Sequence, residues 1–269
     1  MARTFDGVND QIAYGSEAAI DDLMGFTACA CLYTPANVTA EQSIVAKCKS
    51  DYTGMQLFIS ATGSGGNNNK IFMYVHTDDF NGPYAESVAD TLVLNTWQIV
   101  VTTWVGTVGV TAPKIYVGTV GGVIAEPSYA VSRAGTGAYQ SNAAASLRLG
   151  TRDPLDTFYG GGLAEAAIWN RVLTAGEIAA LGRGFAPAFF PRGRVFYSPL
   201  AGRQSTEPNW AGTAHGTVTG TSYLDHPSII CPVANVPLAR PSGGGSPPPV
   251  GRISHAATRS LTRAIGRAL

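Results

Sequence analysis

Charge is scarce in this chain. Charged residues make up 13% of it, against ~25% in typical soluble domains, and the 18 lysines and arginines balance 18 aspartates and glutamates. Neither sign is in excess, so there is no global field to draw the molecule to nucleic acid or to an anionic membrane. Long apolar runs are missing as well. No stretch approaches the ~18 residues of a membrane span. The opening MARTFDGVND alternates at once, without the apolar region or small-residue cleavage site of a signal peptide, so a soluble protein made in a cytoplasm is expected. Cysteine is sparse, with four residues in all. The spacing of Cys29, Cys31, Cys48 and Cys231 fits no zinc or redox motif, and free, mostly buried thiols are expected. At 269 residues the chain is long enough to bury a core without disulfide or metal staples.

Catalytic patterns are also lacking. Retaining glycoside hydrolysis needs two carboxyl groups about 5–5.5 Å apart, and the strand patterns E-x-D-x-E and E-x-D-x-x-E do not occur. Glu165 stands alone in GLAEAAI, and Glu86 and Asp90 fall in the loop-like YAESVAD. His76, His215, His226 and His255 have no nucleophile elbow G-x-S-x-G to partner. No enzymatic activity is expected.

What the chain does contain is turns and short alternating segments. FTACACLYTP (26–35), GMQLFISATG (54–63), KIFMYVHTDD (70–79), TWQIVVTTWVG (96–106), PKIYVGTVGG (113–122) and ASLRLGTRD (145–153) are broken by Gly, Asn, Asp and Pro. Within them Leu57 and Ile59, Phe72 and Tyr74, Ile99 and Val101, and Leu147 and Leu149 recur with period two. That period predicts half-buried antiparallel strands in an all-β sandwich or jelly roll. One helix is expected after the last strand, in TAGEIAAL. There Thr174 and Glu177 have capping-box spacing, Ile178 and Leu181 form an apolar face, and Gly182 or Gly184 ends the turn.

Composition divides the rest. Residues 1–184 are expected to be the sandwich, and 185–232, cut by Pro and Gly, a small β-rich appendage with strands in RVFYSPL and GTVTGT. Residues 233–251 read as a Pro/Gly-rich linker. Residues 252–269 place Arg259, Arg263 and Arg267 on one helical stripe and Leu261, Ile265 and Leu269 on another. From 233 onward there are five arginines and no acid. Phosphate contact, membrane contact and a disordered tail are readings of this segment. Among functional roles, docking on a partner protein fits best, with Arg252, Arg259, Leu261, Arg263, Ile265, Arg267 and Leu269 as anchors.

FDGVNDQI (5–12), TWQIVVTTW (96–104), IYVG (115–118), LRLG (147–150) and FYGGGLAEAAIWNRVLTAGEIAAL (158–181) together resemble the successive motifs of laminin-G-like, concanavalin A-like lectin/glucanase domains. The last is the most specific, since the family reads roughly F-x-G-x-I-D-E-V-x-I-Y/W-N-R-x-L-S/T-x-x-E-I there. The resemblance covers about residues 3–183. Residues 182–227 are similar to a module that follows such domains in virion proteins of tailed phages.

The resemblance implies a concanavalin A-like jelly roll with one short helix after the last strand. It makes Trp169 a scaffold residue, with a sugar-stacking role as the alternative. It also implies a non-enzymatic virion protein, a capsid decoration or head-fibre component held through its C-terminal extension in multiple copies among other virion proteins. The alternative is a lectin-like tail or fibre protein that recognises host-surface glycan. For that role Phe80, Tyr84, Asp78 and Asp79 in HTDDFNGPY are the candidates. No cofactor is expected. Calcium binds many relatives through oxygen ligands, and Asp153, Asp156 and Glu165 are the candidates here. However, Ala164 replaces one acid of the family pattern, and Asp in turns is commonly engaged by local backbone.

Overall fold

The computed structural model describes residues 1–49, 53–60, 69–202 and 204–232. Sixteen strands form among them: β1 Ala2–Asp6, β2 Gln11–Gly15, β3 Phe26–Tyr33, β4 Gln42–Lys47, β5 Met55–Ser60, β6 Lys70–Val75, β7 Tyr84–Ser87 and β8 Trp97–Trp104, followed by β9 Lys114–Thr119, β10 Tyr129–Arg133, β11 Leu147–Leu149, β12 Gly160–Trp169, β13 Arg194–Ser198, β14 Thr206–Glu207, β15 Gly216–Thr219 and β16 Ser222–Leu224. One α-helix, α1 Ala175–Gly182, follows β12. The strands build two antiparallel sheets. One has seven strands, in the order β16-β1-β12-β3-β8-β9 with β13 also on β12, and the other has nine, in the order β10-β7-β6-β5-β4-β11-β2-β15-β14. The expected all-β sandwich with one short helix is the observed fold.

Alternation assigns the faces. Phe26, Ala28, Ala30 and Leu32 of β3 and Val100 and Trp104 of β8 meet Ile44, Leu57, Ile59, Ile71, Met73 and Val75 between the sheets. The opposite face of the seven-stranded sheet is also apolar. Cys29, Cys31, Ile99, Val101, Ala164, Ala167 and Trp169 lie there, and Leu173, Ile178 and Leu181 from the α1 region cover them. A sheet buried on both sides explains why β3 and β12 are apolar almost throughout. Cys29, Cys31 and Cys48 are free and buried, and Cys231 is free and exposed.

The helix begins as its spacing predicts. Thr174 Oγ1 accepts from the Glu177 backbone N–H, and the Glu177 carboxylate accepts from the Thr174 N–H at 2.8 Å. Trp169 is fully buried at the end of β12, its indole N–H donating to the Phe190 carbonyl at 2.7 Å, so it belongs to the scaffold.

Residues 185–232 supply strands to both sheets. β13 pairs with the second half of β12, β15 inserts beside β2, and β16 lies against β1. Phe196 and Leu200 enter the core between the sheets. Arg3 of β1 is buried against this segment. Its Nε donates to Glu207 at 2.6 Å and its NH2 to the Gln204 carbonyl at 2.7 Å.

With one sheet covered by α1, the outer face of the nine-stranded sheet is the one on which no described α-helix packs. The side chains there are out of phase with the core residues, and they form the candidate site.

Candidate functional site

Strand register lines up side chains in rows across β4–β7 and β10. Gln56, Tyr74, Tyr84 and Arg133 are successive register partners on β5, β6, β7 and β10, and Phe58, Phe72 and Glu86 form the neighbouring row. With strands about 4.8 Å apart, a four-strand row spans about 14 Å. Phe58 and Phe72 stack, with ring centroids 4.7 Å apart and planes 11° from parallel. Tyr84 sits edge-on to Tyr74 at 5.5 Å, and Tyr74 contacts His76 at 4.3 Å. Glu86 apart, these residues line, with Glu41, Phe80 and Arg152, an open pocket of about 400 Å³.

The rim is held by the loop after β6. Phe80 projects from it 63% exposed, its backbone in the left-handed region at φ +57°. Its carbonyl accepts from the Tyr74 hydroxyl at 2.6 Å. Asp78 and Asp79 are turned away from the pocket. Asp78 accepts from the Ala138 N–H at 2.9 Å, and Asp79 accepts from Thr77, Asn81 and Thr136. These bonds, the Thr136 one foremost, lower the Asp79 pKa. Of the four residues expected to contact glycan, Phe80 and Tyr84 therefore line the pocket, while Asp78 and Asp79 tie the 76–82 loop to residues 136–138.

Most polar groups in the pocket are fixed by one another. Gln56 Nε2 donates to Glu41 at 2.8 Å and to Ser43 at 2.8 Å. Arg152 pairs with Asp156 through Nε and NH2 at 2.8 and 3.1 Å, and with Glu41 at 3.3 Å. Burial, reinforced by the nearby Arg152, pushes the His76 pKa down to about 3, so the ring is neutral across the physiological range. Arg133 lies over the Tyr84 ring at 5.1 Å and the Tyr74 ring at 5.8 Å, a cation–π arrangement, and Nε donates to the Gly82 carbonyl at 3.2 Å.

The three calcium candidates are not brought together. Asp153 pairs with Arg148 at 3.4 Å and Asp156 with Arg152. Glu165 occupies a bulge in β12 at φ +55° and is buried, accepting from the Tyr197 hydroxyl at 2.8 Å and facing His226 Nε2 at 3.3 Å. Two carboxylates held by guanidinium groups and a third covered by a phenol and an imidazole do not form a cation cage. Among the described residues no group of three His, Cys, Asp or Glu side chains is placed to hold a metal ion. The anchor residues Arg252, Arg259, Leu261, Arg263, Ile265, Arg267 and Leu269 lie outside the described residues.

Glu41, Gln56, Phe58, Phe72, Tyr74, His76, Arg133 and Arg152 were not singled out as site residues from sequence. Phe72 and Tyr74 alternate in the sequence but point outward, and Ile71, Met73 and Val75 are the core set of β6. The signal that could have found them is the aromatic density from Phe58 to Tyr84.

Two antiparallel sheets, one backed by a helix and the other carrying an open aromatic face, define a lectin-like β-sandwich. Residues 6–179 match the family model of the concanavalin A-like lectin/glucanases superfamily, and the chain belongs to that family. No curated protein sequence matches the chain. Among solved structures, it resembles a Bacteroides ovatus protein whose name proposes carbohydrate binding, with TM-score 0.56 and 17% identity over 82% of this chain and 59% of that one. It also resembles the heptameric SAP-like pentraxin of Limulus polyphemus, with TM-score 0.47 and 13% identity over 67% and 80% of the two chains. A third likeness is tailspike protein 2 of an Escherichia coli bacteriophage, with TM-score 0.43 and 13% identity over 74% and 30%. At these identities the likeness is one of fold. The chain spans 59% of the length of the Bacteroides ovatus protein.

Proposed function

We propose that the outer face of the nine-stranded sheet is a carbohydrate-binding site, and that the protein is a non-enzymatic, lectin-like component of a tailed-phage virion that recognises host-surface glycan through it. The observation that carries the reading is the aromatic row itself. The exposed ring of Phe80 and the rings of Tyr74 and Tyr84, which carry the Arg133 guanidinium, stand beside fixed polar groups in a pocket whose described lining holds one carboxylate, Glu41. Aromatic rings stack on the apolar faces of sugars, and a row of about 14 Å suits an oligosaccharide. Glu41 already accepts from Gln56 and Arg152, and the flanking carboxylates Asp156 and Glu86 are engaged by Arg152 and Lys70, an arrangement that supports binding over acid–base hydrolysis.

The virion setting rests on the similarity of residues 182–227 to a module of phage particles. A second reading, attachment to capsid or tail protein through residues 252–269, rests on the arginine and apolar stripes there. The two roles are compatible on one particle.

The test is retention of the full chain on immobilised host cell-wall polysaccharide, compared with Tyr84→Ala, with released reducing ends measured in parallel. Tyr84→Ala is expected to weaken retention about tenfold, the ~1.4 kcal/mol of one aromatic anchor, with a cooperative melting transition retained and no sugar released. Equal retention of both proteins would remove the site from this face. Co-sedimentation with particles lacking the protein, for the full chain and for one ended after Pro232, tests attachment.

A further inference from the structure

We propose that the ligand of the aromatic face is an acidic saccharide, one carrying a sugar carboxylate such as a uronic or nonulosonic acid, and that Arg133 receives that carboxylate. The inference rests on the carbohydrate reading of the face and narrows it to one chemical class.

The cations around this face differ in how they are matched. Arg152, the other cation in the lining, is engaged by Asp156 and Glu41. Lys70, which flanks the face, is held by Glu86 at 2.7 Å, and Tyr84 donates to the second oxygen of the same carboxylate at 3.1 Å. His76 is neutral. Arg133 differs from these. Its one protein hydrogen bond among the described residues runs from Nε to the Gly82 carbonyl. No described carboxylate lies within ion-pair distance of it.

The guanidinium is nevertheless oriented. Tyr84 and Tyr74 lie beneath it, and the Gly82 bond fixes its roll. Both terminal nitrogens are left to donate. A planar fork held in this way matches the two oxygens of a carboxylate, which an ammonium group would meet only as a point charge. Tyr84 is the register partner of Arg133 and lines the same pocket, so a sugar seated in the pocket beside Tyr84 places a ring carboxylate next to the guanidinium. A neutral sugar would use the aromatic rings and leave the cation with water.

The experiment uses the full chain and two pairs of probes: oligogalacturonate against its fully methyl-esterified form, and a sialic-acid homopolymer against dextran. Binding is measured by calorimetry or by retention on the immobilised polymer. The expected result is that at least one acidic probe binds about tenfold more tightly than its neutral counterpart, that the preference weakens with added salt, and that Arg133→Met abolishes it. If Arg133→Met does not fold, Arg133→Gln serves, and the acid-to-neutral ratio of the unmodified protein already decides. Equal binding of acidic and neutral probes overturns this proposal and leaves the carbohydrate reading standing. An acid preference that Arg133→Met leaves intact also overturns it. Failure to bind any saccharide, including host polysaccharide, overturns both.

Discussion

Phe80 shows at the scale of one residue how this face trades stability for exposure of a ring. A non-glycine residue in the left-handed region costs about 1 kcal/mol. Phe80 sits there at φ +57° with its ring in solvent. The ring is mostly exposed, whereas the backbone conformation is required by the turn that returns its carbonyl to the Tyr74 hydroxyl. Phe80→Gly is therefore expected to raise stability by about 1 kcal/mol and to weaken glycan retention several-fold. Urea-denaturation midpoints and the retention assay measure the two effects. A variant that is less stable would show the turn to be unstrained, and one that is more stable but fully retained would show that the ring makes no contact. The neighbouring residues explain why this was only half legible from sequence. An HTDDFNGPY stretch announces a polar loop with aromatics, but Asp78 and Asp79 accept backbone and hydroxyl hydrogen bonds just as sugar ligands would. Only the position of residues 136–138 tells the two uses apart.

Among the elements, α1 was the most legible, because its start is encoded in side chains that cap backbone groups a few residues away. Thr174→Ala removes one of these caps and is expected to cost about 1 kcal/mol. Glu177 adds a pH term. The Arg171 guanidinium, bonded at 2.6 and 2.8 Å, and the Thr174 N–H hold its pKa at about 2, below its ordinary 4.5. A depressed carboxylate pKa contributes stability that is complete above 4.5 and is lost as the pH falls toward 2. Glu177→Gln should therefore be less stable than the parent at pH 7, the gap closing as the pH is lowered through that window. Parallel stability-against-pH curves would show that the pair does not act in this way. The strand β6 was the least legible element. Ile71, Met73 and Val75 face the core while Phe72 and Tyr74 face outward, so both phases of KIFMYV are apolar and alternation alone cannot choose between them. The choice is made by neighbouring strands, where Leu57 and Ile59 are inward and Gln56 and Phe58 outward. The aromatic site thus emerged only once strand register was known.

For the whole molecule, the decisive feature is that the fold does not close at the end of the family motif. A chain ended at Gly184 would retain α1 but lose β13–β16, and with them Phe196 and Leu200 from the core between the sheets. Removing one buried aromatic costs about 3–5 kcal/mol. Arg3 would keep its buried position while losing Glu207 and the Gln204 carbonyl, and breaking a buried ion pair from one side costs a further 3–5 kcal/mol or so. Glu165 would lose Tyr197 and His226 in the same cut. Since a domain of this kind is stable by only about 5–15 kcal/mol, the 1–184 chain is expected to lack a cooperative thermal transition. A chain ended after Pro232 keeps every one of these contacts within one compact unit and is expected to melt as a single transition and to retain glycan. Calorimetry on the two chains makes the comparison. A cooperative transition for 1–184 near that of 1–232 would mean that residues 185–232 only decorate the sheets. Its absence would mean that the strands following the family motif complete the sandwich on which the aromatic face is built.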